Sequence, residues 1–228
     1  MPDVTLIIPQ RNFGALTQAC IRGLRDHESR CWPVIVVDDG SEDASREGIR
    51  NAGFENCRVI SQPPLGVTAA WNAGIGRVET PWVILLNNDV LIDGPFVEWL
   101  MQPLRAGQAF ITGAETRSEP LLLNRTLLSG WCFGFAVELW RELGGFEESL
   151  RLYWSDTDFQ CSAMLRSAAN KTALKCVASL PLRHLGHQTA RHDPRRRELW
   201  QADRARFVTK WSGLSTQRRE GGEVEQKR

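Results

Sequence analysis

Two short polar clusters carry residue types that could do chemistry. Asn87-Asn88-Asp89 directly follows the apolar run Trp82-Val83-Ile84-Leu85-Leu86. A carboxylate beside amide oxygens is a hard oxygen site that suits Mg²⁺ or Mn²⁺. Such ions are usually held by one or two carboxylates and completed by substrate phosphates, so Asp89 alone would suffice beside a diphosphate. The same residues also suit a turn in which Asn and Asp bond their own backbone. Asp156-Thr157-Asp158 follows Tyr153-Trp154-Ser155 and stands just ahead of a helical stretch. There an Asp can act as a general base, or Ser155 or Asp156 can cap the helix. His184 and His187 follow Leu180-Pro181-Leu182. Each could put an imidazole nitrogen on a metal, or be an ordinary structural or surface histidine.

The elements that must position these clusters are legible in the apolar pattern. Val4 to Ile8, Val34 to Val37, Arg58 to Ser61 and Trp82 to Leu86 read as four short strands. Helical spacing covers 14–27, with Leu16, Cys20, Ile21 and Leu24 on one side, and continues over 67–78. Ser41 is a candidate cap for a helix after the second strand, with Glu42 and Asp43 in its first turn. Continuous apolar strands alternating with helices indicate an α/β chain with a mostly parallel sheet covered on both faces. Ligands of such sheets bind beyond the carboxyl ends of the strands. Arg11 and Asn12, Asp38 and Asp39, and Asn87 to Asp89 fall at three of those ends.

The second half is less regular. It reads as a helix over 95–104, a strand over 110–112, a loop over 115–122 and an aromatic, Gly-rich strand over 129–136. Helices are then expected over 137–143 and 159–167. One domain over 1–212 is expected, followed by a polar, unstructured tail over 213–228.

Composition bounds the remaining options. The 228 residues suffice for one sizeable core, and 42% hydrophobic with 24% charged residues is an ordinary globular balance. No apolar run is long enough to span a membrane, and no basic-then-apolar leader precedes Val4. The six cysteines lack the two-residue spacing of zinc sites and read as small buried hydrophobes in a reducing, cytoplasmic setting. From Arg183 onward there are 12 Lys and Arg against 6 Asp and Glu. This basic segment is a candidate for peripheral contact with phosphate or anionic lipid, or is simply a solvated helix and tail. No nucleic-acid partner is expected.

Taken in order, the motifs resemble family 2 of the inverting nucleotide-sugar glycosyltransferases, which have the Rossmann-like GT-A fold. The resemblance runs from Val4 to about Thr189. It rests on Leu6-Ile7-Ile8-Pro9-Gln10-Arg11-Asn12, Val36-Val37-Asp38-Asp39-Gly40-Ser41, Leu65-Gly66-Val67 with Asn72-Ala73-Gly74, and Leu86-Asn87-Asn88-Asp89. It continues through Gly144-Gly145-Phe146-Glu147-Glu148, Trp154-Ser155-Asp156-Thr157-Asp158-Phe159 and Arg183-His184-Leu185-Gly186-His187.

The resemblance implies roles. Pro9, Arg11, Asn12 and Asn72 would lie on the donor nucleotide, and Asp39 would accept the imide N–H of a uracil or thymine. Asn88 would approach the ribose or a phosphate. Asp89, with His184, would hold Mn²⁺ or Mg²⁺ on the diphosphate of a UDP- or dTDP-sugar. Asp156 would be the base that takes the acceptor hydroxyl proton. Trp131 and Asp158 are candidates for the acceptor side, and Arg195-Arg196-Arg197 for a phosphorylated or lipid-linked acceptor. Asn87 and Ser155 stand where the family carries acids, and Gln10-Arg11 departs from its usual nucleotide loop. Without the membrane-spanning extension of polymerising members, transfer of one or a few sugars is expected. A catalytically weak, nucleotide-sugar-binding scaffold is the alternative. A sugar-nucleotidyltransferase would need a Gly-rich basic loop that Pro9 to Gly14 lacks.

Overall fold

Alternating side chains build both sides of one central sheet. On β1 (Val4–Gln10), Val4, Leu6 and Ile8 point to one face and Ile7 to the other, and all four are fully buried. β2 (Val34–Asp39) and β4 (Trp82–Leu86) divide in the same way, so each strand serves two cores. The first core is closed by α1 (Gly14–His27) and α4 (Val97–Arg105), through Cys20, Ile21, Leu100 and Met101. The second is closed by α3 (Val67–Ile75), α5 (Val137–Leu143) and α6 (Ser155–Arg166), through Trp71, Val137 and Phe159. Gly74 lets α3 lie on the sheet, because a Cβ there would come within 2.6 Å of Ile7 Cγ2. The computed structural model describes residues 1–122, 124–166, 173–186, 188 and 190–220.

The remaining elements are α2 (Ser45–Asn51), β3 (Cys57–Gln62), β5 (Val90–Ile92), β6 (Ile111–Gly113), β7 (Thr116–Glu119), β8 (Arg125–Leu128), β9 (Cys132–Ala136), β10 (Leu174–Cys176), β11 (Leu182–His184) and α7 (Arg196–Glu220). The main sheet runs β10-β6-β9-β4-β1-β2-β3. β1 pairs parallel with β2 and β4, β2 with β3, and β6 with β10. β9 runs antiparallel between β4 and β6. The mostly parallel α/β expectation therefore holds, with one reversed strand. The chain leaves β1 toward β2 on one side and returns to β4 on the other, so the β1–β4 boundary is the topological switch point, the place where sheets of this kind bind ligands.

Several local expectations are corrected. The stretch 115–122 is not all loop: β7 and β8 form an antiparallel hairpin, and Pro120–Leu122 is a 3-10 turn. Ser41 does not cap the next helix, which starts at Ser45. Its Oγ instead accepts the Asn12 N–H at 2.8 Å, while Ser45 Oγ accepts the Gly14 N–H at 2.7 Å. The β2–α2 loop thus caps α1, whose start bends through positive φ at Asn12 and Phe13. The second acidic cluster lies within the first turn of α6, not ahead of it.

The basic segment is not simply a solvated helix. α7 turns Phe207 and Trp211 onto Leu150 and Cys161 in a third apolar cluster. It also extends to Glu220, into the expected tail, because each added residue of a propagating helix gains a hydrogen bond once nucleation is complete. Residues 221–228 of that tail lie outside the described residues. No helix among the described residues is long and apolar enough to cross a membrane.

Candidate active site

The crevice at the switch point is braced by a chain of side-chain hydrogen bonds. Asn88 Nδ2 donates to Thr17 Oγ1 at 3.1 Å, and Thr17 Oγ1 donates to Gln10 Oε1 at 2.8 Å. Gln10 Nε2 donates in turn to Asp38 Oδ1 at 3.1 Å and Ser41 Oγ at 2.9 Å. The ends of β4, β1 and β2 are therefore locked to one another by groups buried from water. Gln10 and Thr17 were not singled out as site residues by the sequence. Their signal was weak, since a lone Thr in a helix usually faces a core or solvent.

β5 and β11 bring the first cluster to its histidine. They pair antiparallel with Val90 opposite His184, and the Leu185 N–H donates to the Asp89 carbonyl at 3.0 Å. His184 Nε2 thereby lies 3.1 Å from Asp89 Oδ1, and the Gln188 N–H donates to Asp89 Oδ2 at 3.1 Å. Burial pushes the Asp89 carboxyl up, but the His184 hydrogen bond, the Gln188 N–H and the His184 charge outweigh it and leave the carboxyl below its usual range. Asn87 Nδ2 is also 3.4 Å from His184 Nε2. His187 lies outside the described residues.

The pair Asp89 and His184 fits a divalent ion. Two adjacent donors of an octahedral ion at about 2.1 Å stand about 3 Å apart, close to the 3.1 Å found. Among the described residues no third His, Cys, Asp or Glu joins them, so further ligands would come from a diphosphate or water.

Trp131 and Gly130 connect this pair to the second cluster. The Trp131 ring stacks on His184 at 5.2 Å and 14°, and its carbonyl accepts the Asn87 N–H at 2.8 Å. Its indole N–H donates to Glu115 Oε2 at 2.7 Å. Trp131 is only partly buried, so the ring joins the histidine to the edge of the first core. Gly130, one residue earlier, lies directly under Asp156: a Cβ there would come within 2.6 Å of Asp156 Oδ2. The two residues immediately ahead of β9 thus connect the Asp89–His184 pair to Asp156 through successive contacts.

Asp156 has an unexpected partner. Arg117, on β7, places Nη2 3.2 Å from Asp156 Oδ2 and Nη1 2.8 Å from Glu119 Oε2, and it also donates to Thr157 Oγ1. Burial pulls the guanidinium down, but the Asp156 charge and the hydrogen bonds that Arg117 donates to Glu119 and Asp156 more than counter it, so Arg117 is held cationic. The sequence concealed this residue inside a stretch read as loop. The alternation of Thr116, Arg117, Ser118 and Glu119 was its only signal, and such polar alternation is weak.

Other predicted residues fall less simply. Arg11 lies at the rim, 3.5 Å from Glu42 and 3.7 Å from Asp193, and Asn12 Oδ1 accepts the Glu42 N–H at 2.9 Å. Pro9 sits on β1 opposite Val37. Asp39 accepts Gln62 Nε2 at 2.8 Å and the N–H groups of Leu65 and Gly66, each at 2.9 Å, so in this structure it anchors the loop into α3.

Asn72 and Asp158 make structural contacts in this structure. Asn72 Oδ1 accepts the Phe146 N–H and Trp140 Nε1, while Nδ2 donates to the Phe146 carbonyl and Glu148 Oε1, all at 2.9 Å. Its amide capacity is spent on fastening 144–148 to α3. Asp158 accepts Trp211 Nε1 and lies 2.8 Å from Lys210 Nζ, which docks α7. Residues two apart on a helix do not share a face, so Asp158 cannot join Asp156 at the rim.

The sequence profile of Glycosyl transferase family 2 matches residues 5–172, well over half of the chain. The chain belongs to glycosyl transferase family 2. Among solved members of this fold, glucosyl-3-phosphoglycerate synthase from Mycobacterium tuberculosis, in complex with Mn²⁺, UDP and phosphoglyceric acid, superposes with a TM-score of 0.65 at 18% identity, covering 88% of this chain and 77% of that one. The mannosyltransferase PcManGT from Pyrobaculum calidifontis, in complex with GDP-Man and Mn²⁺, superposes with a TM-score of 0.64 at 17% identity, covering 78% and 55%. These likenesses show the GT-A fold. The glycosyltransferase GlyA of Streptococcus pneumoniae is 28% identical over 110 residues, 47% of this chain and 16% of that protein. A GalNAc(5)-diNAcBac-PP-undecaprenol beta-1,3-glucosyltransferase of Campylobacter jejuni is 24% identical over 120 residues, 50% of this chain and 38% of that protein. The matched region spans less than half the length of these two curated relatives.

Proposed function

We propose that the chain transfers one sugar from a UDP- or dTDP-sugar to a hydroxyl acceptor, with inversion and with Mn²⁺ or Mg²⁺. The observation that carries this reading is the continuous path Asp89–His184–Trp131–Gly130–Asp156 around the crevice mouth. It supports a reading in which Asp89 and His184 bind the cation and Asp156 is the base. The Mn²⁺ and UDP bound to the mycobacterial synthase, and the GDP-Man and Mn²⁺ bound to the archaeal mannosyltransferase, support the donor class.

In this reading Asp89 and His184 would hold the ion, which as a Lewis acid counters charge on the departing diphosphate. Arg11 and Asn12, at the end of β1, would line the nucleotide, and Asn88, held by Thr17, would approach its ribose or phosphate. Asp156 takes the acceptor hydroxyl proton as the new oxygen–carbon bond forms. The bond from the sugar's anomeric carbon to the diphosphate breaks with its electron pair on the diphosphate oxygen. An aspartate is a weak base, so the proton moves late, once the acceptor oxygen is already bonding to an oxocarbenium-like carbon. Trp131 offers a ring edge to the acceptor side.

A lipid-linked or phosphorylated acceptor, held at the cytoplasmic face of a membrane, is consistent with the exposed Arg195, Arg196 and Arg197 and with the exposed Trp200 on α7. The same surface would sediment with anionic vesicles at low salt, and failure to do so would remove membrane docking from the proposal. The donor is tested by measuring nucleoside diphosphate release from UDP-, dTDP- and GDP-sugars, with and without Mn²⁺. Release from a UDP- or dTDP-sugar that depends on Mn²⁺ supports the proposal. Tight UDP binding with no release or transfer for any donor would favour the catalytically weak, binding-only alternative.

A further inference from the structure

The β7–β8 hairpin is tied to the helix that carries the base by two separate fastenings. Gln160 is completely buried on α6, one turn beyond Asp156. Its Oε1 accepts the Leu128 N–H at 2.8 Å and its Nε2 donates to the Leu128 carbonyl at 3.0 Å. A side chain here completes the β8 edge as a neighbouring strand would. The second fastening is Arg117. Its two terminal nitrogens are shared between Glu119, which is buried, and Asp156 with Thr157.

The division of Asp156's oxygens is informative. Oδ2 meets Arg117 at 3.2 Å. Oδ1 has only a long 3.5 Å contact with Thr157 Oγ1 among the described residues. Below the carboxylate, Gly130 leaves no room for the side chain to swing down. The carboxylate is therefore gripped on one oxygen and floored on one side. The other oxygen has no close partner among the described residues.

We propose that Arg117 is a positioning residue for the transfer: its guanidinium holds one Asp156 oxygen so that Oδ1 is presented to the acceptor hydroxyl. This rests on the reading of Asp156 as the base. Nη2 reaches a single Asp156 oxygen, and because the fork is planar, pinning Nη1 on Glu119 fixes where Nη2 points, which a lysine's point charge does not do. Arg117 donates to Glu119 as well, so the fork is itself braced from the hairpin. Arg117 takes up no proton and touches no reacting atom. It acts on the rate through Asp156 alone.

The test is a double-mutant cycle between Arg117→Met and Asp156→Asn, with Arg117→Lys as the conservative variant. Activity is read as diphosphate release from the nucleotide sugar that the wild-type chain hydrolyses fastest, and UDP affinity by calorimetry with Mn²⁺. Arg117→Met should lower kcat roughly ten- to hundredfold, as for a misplacement of about 1 Å at a reacting group. The donor KM and UDP affinity should stay within about twofold, because the residue touches no donor-side group. Arg117→Lys should recover part of kcat. In the Asp156→Asn background, Arg117→Met should cost less than about twofold, because residues acting as one unit are not additive.

Equal loss from Arg117→Met in both backgrounds would make its role merely structural and overturn the inference. So would an unchanged kcat in Arg117→Met while Asp156→Asn is inactive; that result leaves the base assignment standing. Full activity in Asp156→Asn alone would overturn the base assignment itself and this inference with it. Urea unfolding of both Arg117 variants shows whether either has lost its fold, and Arg117→Lys then carries the comparison.

Discussion

Asp89 Oδ1 lies 3.1 Å from His184 Nε2 because β5 and β11 pair with Val90 opposite His184. Two residues far apart in the chain are thereby fixed at the spacing of adjacent ligands on one divalent ion. Asp89→Asn and His184→Ala should each weaken Mn²⁺ binding in the presence of UDP by at least about tenfold, since even indirect ligand supports are worth 10–100-fold. Calorimetric titration of MnCl₂ into the UDP-saturated protein measures it. Unchanged affinity in both variants would remove the pair from the metal site.

Gly130 is required small for a stated reason: a Cβ would meet Asp156 Oδ2 at 2.6 Å and its Cβ at 2.9 Å. Gly130→Ala should displace the whole Asp156 side chain and lower kcat by roughly tenfold or more, with nucleotide affinity nearly unchanged. A Gly130→Ala variant with wild-type kcat would show that Asp156 can move without cost.

Asn72→Ala should destabilise the fold without removing a nucleotide contact. It leaves the partly buried Trp140 Nε1 and the Phe146 backbone without their partner. A loss of about 2–4 kcal/mol is expected from the cost of unsatisfied groups, read from urea unfolding. Weakened UDP binding with unchanged stability would reverse the assignment.

These cases mark what the sequence could convey. β4 is found at the same residues the apolar run indicated, and α1 likewise, since a buried strand and an amphipathic helix declare themselves by composition and period. The reversed direction of β9 was not legible, because an aromatic, Gly-rich run has no polarity. Asp89 with His184 was legible only through motif order. The structural contacts of Asn72 and Asp158 were not legible, because a motif fixes where a residue stands and not which way its side chain points. Arg117 was missed because two of its partners, Asp156 and Thr157, come from a helix in another part of the chain. The docking of α7 was present in the four-residue spacing of Asp203, Phe207 and Trp211, all buried, but charge dominated the reading of that segment.

The cysteines give a pH-sensitive check on the core. Burial pushes the Cys57 thiol up to about 11 and the Cys161 thiol up to about 12, and it raises Cys20 and Cys132 further. Cys31 is exposed. With a reporter such as an aromatic disulfide at pH 8, Cys31 should react first, and Cys20, Cys132 and Cys161 only on unfolding. Because these buried thiols are raised in the native state, the stability they confer is full below the ordinary thiol range and is lost as pH rises through the raised values. Rapid labelling of Cys20 or Cys132 in the folded protein would contradict the packing of the first core.

Asp156, connected to Asp89 and His184 through Gly130 and Trp131, is proposed as the base of the transfer. The most direct test of this assignment is diphosphate release by Asp156→Asn with Mn²⁺ and the preferred nucleotide sugar, alongside UDP binding by calorimetry. Turnover should fall by about 10²- to 10⁴-fold, the usual worth of a general base, with UDP affinity retained. Turnover equal to that of the wild type would contradict it.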